Sequence, residues 1–125
     1  MDKLKQEYYA EVRKGFDKES KELFNAFPAL ESFSWPQYTP YFNDGDTCVF
    51  RARIDDPDIN GVEGYDIHEA WSTYPAENSE LLPLKQAVET FLRSLDDDSL
   101  LELFGDHVRV IVTRNGATPE EYSHG

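Results

Sequence analysis

Ser34-Trp35-Pro36-Gln37-Tyr38-Thr39-Pro40-Tyr41-Phe42-Asn43-Asp44-Gly45-Asp46 packs four aromatic residues, two prolines and a turn signal into thirteen positions. Phe33 and Trp35 alternate with Ser32 and Ser34, the period-two pattern of a strand with one buried face. Pro36 has no backbone N–H, so the strand is expected to end there or to lie on a sheet edge. Pro40 fixes its own φ and holds Thr39 extended, which stiffens Tyr38 to Phe42. Asn43-Asp44-Gly45-Asp46 carries hairpin chemistry, because glycine takes positive φ and Asx side chains bond nearby backbone. Thr47 to Ile54 then reads as a second strand. Cys48, Phe50, Ala52 and Ile54 share one of its faces, and Val49, Arg51 and Arg53 share the other.

Two uses of this segment stand open. Its aromatics fill a core, which is the usual role of such clusters. Alternatively Gln37, Tyr38, Tyr41 and Asn43 line a recognition surface, with Asp44 in the turn and Arg51 and Arg53 on the adjoining strand. Long aromatic connections with polar groups are uncommon in a small domain unless they bind something.

The run Trp35-x-Gln37-Tyr38-Thr39-Pro40-Tyr41-Phe42-Asn43-Asp44-Gly45-Asp46 resembles a signature of small uncharacterised proteins encoded by phages and prophages. Val112-Thr113-Arg114-Asn115-Gly116 and Glu120-Glu121-Tyr122-Ser123-His124 are similar to the end of those proteins. The resemblance implies a phage-type origin and work inside an infected bacterium. It carries no catalytic residue with it.

Charge is the strongest compositional feature: 12 basic against 25 acidic residues, a formal −13. Residues 1–26 hold six of each sign, so residues 27–125 carry the whole excess. Direct nucleic-acid binding is disfavoured, because affinity there comes mainly from cations on phosphate. An anionic membrane surface would repel the chain, whereas a basic protein would be attracted and its association hastened. Acidity that merely maintains solubility is the competing reading. Seventeen aromatics are enough for a real core, and 125 residues fit one domain. No apolar run approaches the ~20 residues of a membrane span. Met1 to Gln6 lacks the apolar stretch of a signal peptide, and the single cysteine, Cys48, reads as a buried thiol. A bacterial cytoplasm is the expected location.

Elsewhere the periodicities are clear. Leu4, Tyr8, Val12, Phe16, Leu23 and Phe27 form one apolar stripe, predicting a helix over 3–26 that ends before Phe27-Pro28. A helix this long can overhang the domain, which opens a homodimer seam. Leu84, Val88, Phe91, Leu92 and Leu95 predict a second helix, with Pro83 in its first turn. Asp98 or Ser99 is expected to cap a short third helix, Leu100 to Phe104, closed by Gly105. His107 to Thr113 alternates as a strand, Asn115-Gly116 is a hairpin signal, and Ala117 to Tyr122 should return as an edge strand marked by Pro119.

Candidate metal motifs fail on inspection. Asp56, Asp58, Asn60 and Gly61 match the start of an EF-hand loop, but Ile67 stands where a bidentate Glu is required. Ser72 stands where a zinc-protease motif beginning at His68-Glu69 needs its second histidine. Ile67, Trp71, Tyr74 and Pro75 are expected to pin a loop over the core.

The expected fold is a single α+β domain spanning 1–125. An antiparallel sheet of about four strands, built from two hairpins, packs against the long N-terminal helix and the later helix pair. The expected function is that of a non-enzymatic acidic phage accessory protein that binds and modulates a host protein, for example a defence component, as an anti-defence inhibitor would. A nucleotide-signal binder is the alternative, with Trp35, Tyr38 and Tyr41 stacking a base and Arg51, Arg53 and Arg109 meeting phosphates. An enzyme ranks third, since no acid/base pair or nucleophile set stands out. No cofactor, catalytic residue or metal ligand is assigned.

Overall fold

The alternation around Trp35 becomes strand β1 (Ser32–Tyr38) in the computed structural model of the chain, and the other strands are placed by it. The structure describes residues 3–39, 50–64, 67 and 79–122. The expected turn at Asn43 to Asp46, together with Cys48, His68, Glu69, Trp71, Tyr74, Pro75 and His124, lies outside the described residues. β2 (Arg51–Ala52) and β3 (Asp58–Ile59) pair with one edge of β1. β4 (Val108–Thr113) pairs with its other edge, and β5 (Gly116–Glu121) follows β4. All pairings are antiparallel. Helices α1 (Lys3–Ala26), α2 (Leu82–Arg93) and α3 (Asp97–Phe104) complete the expected α+β architecture, with a 3₁₀ turn (Ser79–Leu81) leading into α2. None of the described helices is long and apolar enough to cross a membrane.

Phe33, Trp35 and Gln37 project from one face of β1 and are all buried, together with Val110 and Val112 of β4. α1 supplies Phe16 and Phe24, four residues either side of buried Ser20, so they share a face. The Phe16 ring lies 5.3 Å from Phe104 of α3, 5.4 Å from Phe91 of α2 and 6.4 Å from Trp35. Phe24 stacks on Phe33 at 5.7 Å. The apolar stripe of α1 therefore serves the core only from its middle onward. Leu4 and Tyr8, at 73% and 56% exposure, stand on the part of the helix that extends past the core.

Pro36 departs from expectation. β1 neither ends at it nor lies on an edge, because β4 pairs along one side and β2 and β3 along the other. The physical reason is which way the missing donor points. In a strand the N–H and C=O of one residue face the same edge, and the Pro36 carbonyl accepts from Arg53 N (2.9 Å). Its nitrogen thus faces the break between β2 and β3, where the ladder with β1 is interrupted anyway. A proline needs a position that asks for no donor, and an interior strand beside such a break provides one.

Gln37 is the second departure. It is wholly buried, so it does not belong to the expected recognition surface. Its Oε1 accepts from Trp35 Nε1 (3.0 Å), and its Nε2 donates to the carbonyls of Leu100 (3.0 Å) and Gly105 (2.7 Å). The side chain links the central strand to α3 and to the residue that closes it.

The segment weighed in the sequence as an EF-hand match contains β3. Asn60 (φ 51°) and Gly61 (φ 83°) form its turn, and Asn60 is long-range glue. Its Oδ1 accepts from the backbone N–H of Glu31 (2.7 Å) and Ser32 (3.1 Å), and its Nδ2 donates to Ala29 O (2.9 Å). The α3 cap also moves. Asp96, not Asp98 or Ser99, accepts from Ser99 N (2.7 Å), while Gly105 closes the helix as expected with φ 94°. In the second hairpin Arg114 and Asn115 form the loop and Gly116 (φ 126°) begins β5. β5 is an edge strand, and Pro119 lies in its middle opposite Val110. The missing N–H interrupts the row of donors that would otherwise invite another strand.

Replacing Gln37 by Leu leaves the Trp35 indole N–H unpaired inside the core. We expect Gln37→Leu to lower stability by about 2–3 kcal/mol in urea unfolding. A loss below about 0.5 kcal/mol, the range of neutral surface changes, would show that the amide is not structural.

Candidate functional site

The break that accommodates Pro36 also opens the surface. β2 stops at Ala52 and β3 starts at Asp58, and the chain between them leaves the sheet. A hollow of about 400 Å³ lies there, between the carboxylates of Asp55, Asp56, Asp58 and Glu63 and the guanidiniums of Arg53 and Arg109. Gly64 lines it too. A Cβ at position 64 would overlap the Asp56 backbone and come within 2.6 Å of the Pro57 carbonyl oxygen, so the wall is built for glycine.

A second hollow of about 520 Å³ shares Arg53 and Asp55 with the first and adds Arg51, Asp96 and Asp97. Asp97 ties the start of α3 to β2: its Oδ1 accepts from Ala52 N (3.1 Å), and its Oδ2 lies 3.9 Å from Arg51. The half-buried Tyr9 of α1 lies near Asp96 and two further acids of α3. Burial first, and then the charges of Glu102, Asp98 and Asp96, push its phenol pKa above the ordinary value.

The cations of the first hollow are held in place. Arg109 Nη1 lies 3.0 Å from Asp58 Oδ2 and donates to Ser34 Oγ (3.2 Å). Asp58 Oδ1 accepts from Gly64 N (3.2 Å). The Arg109 guanidinium rests 5.5 Å from the Tyr122 ring, Tyr122 lies 5.8 Å from Tyr38, and Arg53 covers Tyr38 at 5.2 Å. This alternation of arginine and tyrosine rings makes a stiff ridge on the sheet face away from the helices. Lys85 of α2, nine-tenths buried, reaches Asp56 Oδ1 at 2.8 Å and Glu89 at 3.7 Å. A buried ammonium needs such partners.

Across the two hollows six carboxylates stand against Arg51, Arg53 and Arg109, with Lys85 offsetting Asp56 from beneath. Asp55 and Glu63 take no ion-pair partner among the described residues. The arrangement is electronegative and can accept ammonium or guanidinium groups. Among the described residues no group of three His, Cys, Asp or Glu side chains is placed to hold a metal ion. The EF-hand-like residues are committed elsewhere: Asp56 to Lys85, Asp58 to Arg109, and Asn60 to the backbone before β1.

Of the residues singled out in the sequence, Arg51 in β2 and Arg53 just beyond it are both exposed, although the strand expected to run to Ile54 stops at Ala52. Tyr38 is only 7% exposed, with its ring against Arg53 and Tyr122. Gln37 belongs to the core, and Tyr41, Asn43 and Asp44 lie outside the described residues. Trp35 is fully buried and offers no ring face to a base. Sequence reasoning missed Asp55 and Glu63, and weighed Asp56 and Asp58 only as an EF-hand match. Their crowding into nine positions was the available signal.

No family model, no curated protein and no solved structure matches this chain.

Gly64→Ala is expected to lower stability by about 1–3 kcal/mol, because the added methyl must displace backbone. Thermal or urea unfolding checks this, and a neutral effect would mean that the wall yields.

Proposed function

We propose that this chain acts without catalysis, by offering the acidic hollows beside β2 to a basic surface of another protein. One observation carries the reading: among the described residues Asp55 and Glu63 have no ion-pair partner, in a concave patch whose arginines are engaged by Asp58, Asp97 and Tyr38. Clustering supports docking over mere solubility, since solubility asks only for dispersed charge. The stiff ridge of Arg53, Tyr38, Tyr122 and Arg109 adds residue types enriched in interface cores, already ordered before binding. Association with a basic partner would be fast at low salt. The resemblance of residues 35–46 to phage proteins supports a partner in a bacterial host, and an inhibitory, anti-defence role fits an accessory protein of that kind. The nucleotide alternative has less behind it, because Trp35 is enclosed and the Tyr38 ring already contacts Arg53 and Tyr122.

Capture from bacterial lysate with a tagged chain tests the reading. A discrete basic protein should be retained at about 50 mM salt and largely released at about 500 mM, where the Debye length falls to a few ångströms. The double variant Asp55→Lys, Glu63→Lys should lose it while melting normally. Recovery of the same protein by the variant would refute this surface.

A further inference from the structure

Where α1 meets the β4–β5 loop there is a smaller hollow, of about 250 Å³ and of opposite sign. Arg13, Lys21 and Arg114 border it, with Asp17 the one carboxylate in its lining. The geometry points to an oxyanion site here, sized for a phosphate group and held by Lys21 and Arg114. This goes beyond the protein-binding reading and does not rest on it.

The argument turns on which charges are cancelled. Arg13 and Asp17 neutralise each other: Nε lies 3.2 Å from Asp17 Oδ1, and Nη2 donates to Ala117 O at 3.4 Å. Arg114 is anchored without losing its charge. Its Nη2 donates to two neutral carbonyls, Pro28 O (3.0 Å) and Leu30 O (3.2 Å), and its guanidinium lies 5.5 Å from the Phe24 ring. Lys21 is exposed and has no carboxylate within ion-pair distance among the described residues. Two uncancelled positive charges therefore border one hollow, in a chain whose formal charge is −13. A guanidinium already fixed by carbonyls and an aromatic ring gives up little freedom on taking an oxyanion, and its fork suits phosphate. Lys21 adds a point charge, and the Asn115 amide and Thr118 hydroxyl add neutral polar groups. More distant acids act weakly, because the Debye length is about 10 Å at 0.1 M salt. The hollow is below the roughly 300 Å³ at which pockets begin to enclose drug-sized ligands. It suits free phosphate or the phosphate of a monoester whose remainder stays outside.

The test is NMR titration of the full chain with inorganic phosphate and, separately, with adenosine monophosphate, at constant ionic strength. Saturable shifts are expected at the Arg114 Nε–H and at the Asn115 and Gly116 amides. Saturation by phosphate alone identifies the free ion, and tighter saturation by the nucleotide identifies the ester. Lys21→Gln should weaken the binding roughly fivefold, the effect of one exposed charge contact. It should leave folding untouched, since Lys21 makes no described contact. Shifts that drift without saturating, or that saturate identically in Lys21→Gln, would overturn the proposal.

Discussion

The buried amide of Gln37 is the interaction on which the rest of the structure depends. It accepts from the Trp35 indole and donates to the carbonyls of Leu100 and Gly105. Those partners come from the central strand and from the short helix α3. An indole N–H enclosed by Phe16, Phe33 and Phe104 would otherwise have nothing to bond. The amide sits two residues after Trp35, so both side chains enter the same face of β1. Both Nε2 hydrogens are used, and this fixes α3 against the strand by direction as well as by contact. Asp106 strengthens the same junction, accepting from Thr39 N and Thr39 Oγ1, each at 2.8 Å.

The opposite face of the same strand produces the candidate site. Pro36 needs a break in the ladder, and the break between β2 and β3 becomes a hollow. Gly64 lets the 55–64 segment close tightly on itself. Acids fill that segment, and among the described residues only Asp56 and Asp58 pair with cations. The two faces of the sheet are thus alternate residues of one strand: Trp35 and Gln37 toward the helices, Pro36 and Tyr38 away from them. Substitutions at neighbouring positions should have unlike consequences, loss of folding on one side and loss of recognition on the other.

Much of this was legible in the sequence because it depends on local pattern. Periods of two and 3.6 located β1, α1, α2 and β4, and Pro119 marked the edge strand. Alternation also put Arg51 and Arg53 on one face. What was not legible depends on partners distant in the chain. A proline in a strand forbids a donor, but only the register says which edge that donor would have faced. A glutamine reads as a surface residue until Trp35 and α3 are seen to meet it. Asn60 and Gly61 look like an ordinary turn, and nothing nearby reveals that Asn60 holds the backbone of Glu31 and Ser32. Likewise Asp56 and Asp58 resemble loop acids until Lys85 and Arg109 are seen to meet them, and Asp55 and Glu63 until the same hollow gathers them.

Hydrogen exchange of the Gln37 side-chain amide tests the central claim most directly. The two Nε2 protons are held by Leu100 and Gly105 inside the core. They should exchange only when the domain opens, with protection close to that of the slowest backbone amides of β1 and β4. Exchange at the rate of a solvent-exposed glutamine would contradict the account and return Gln37 to the surface.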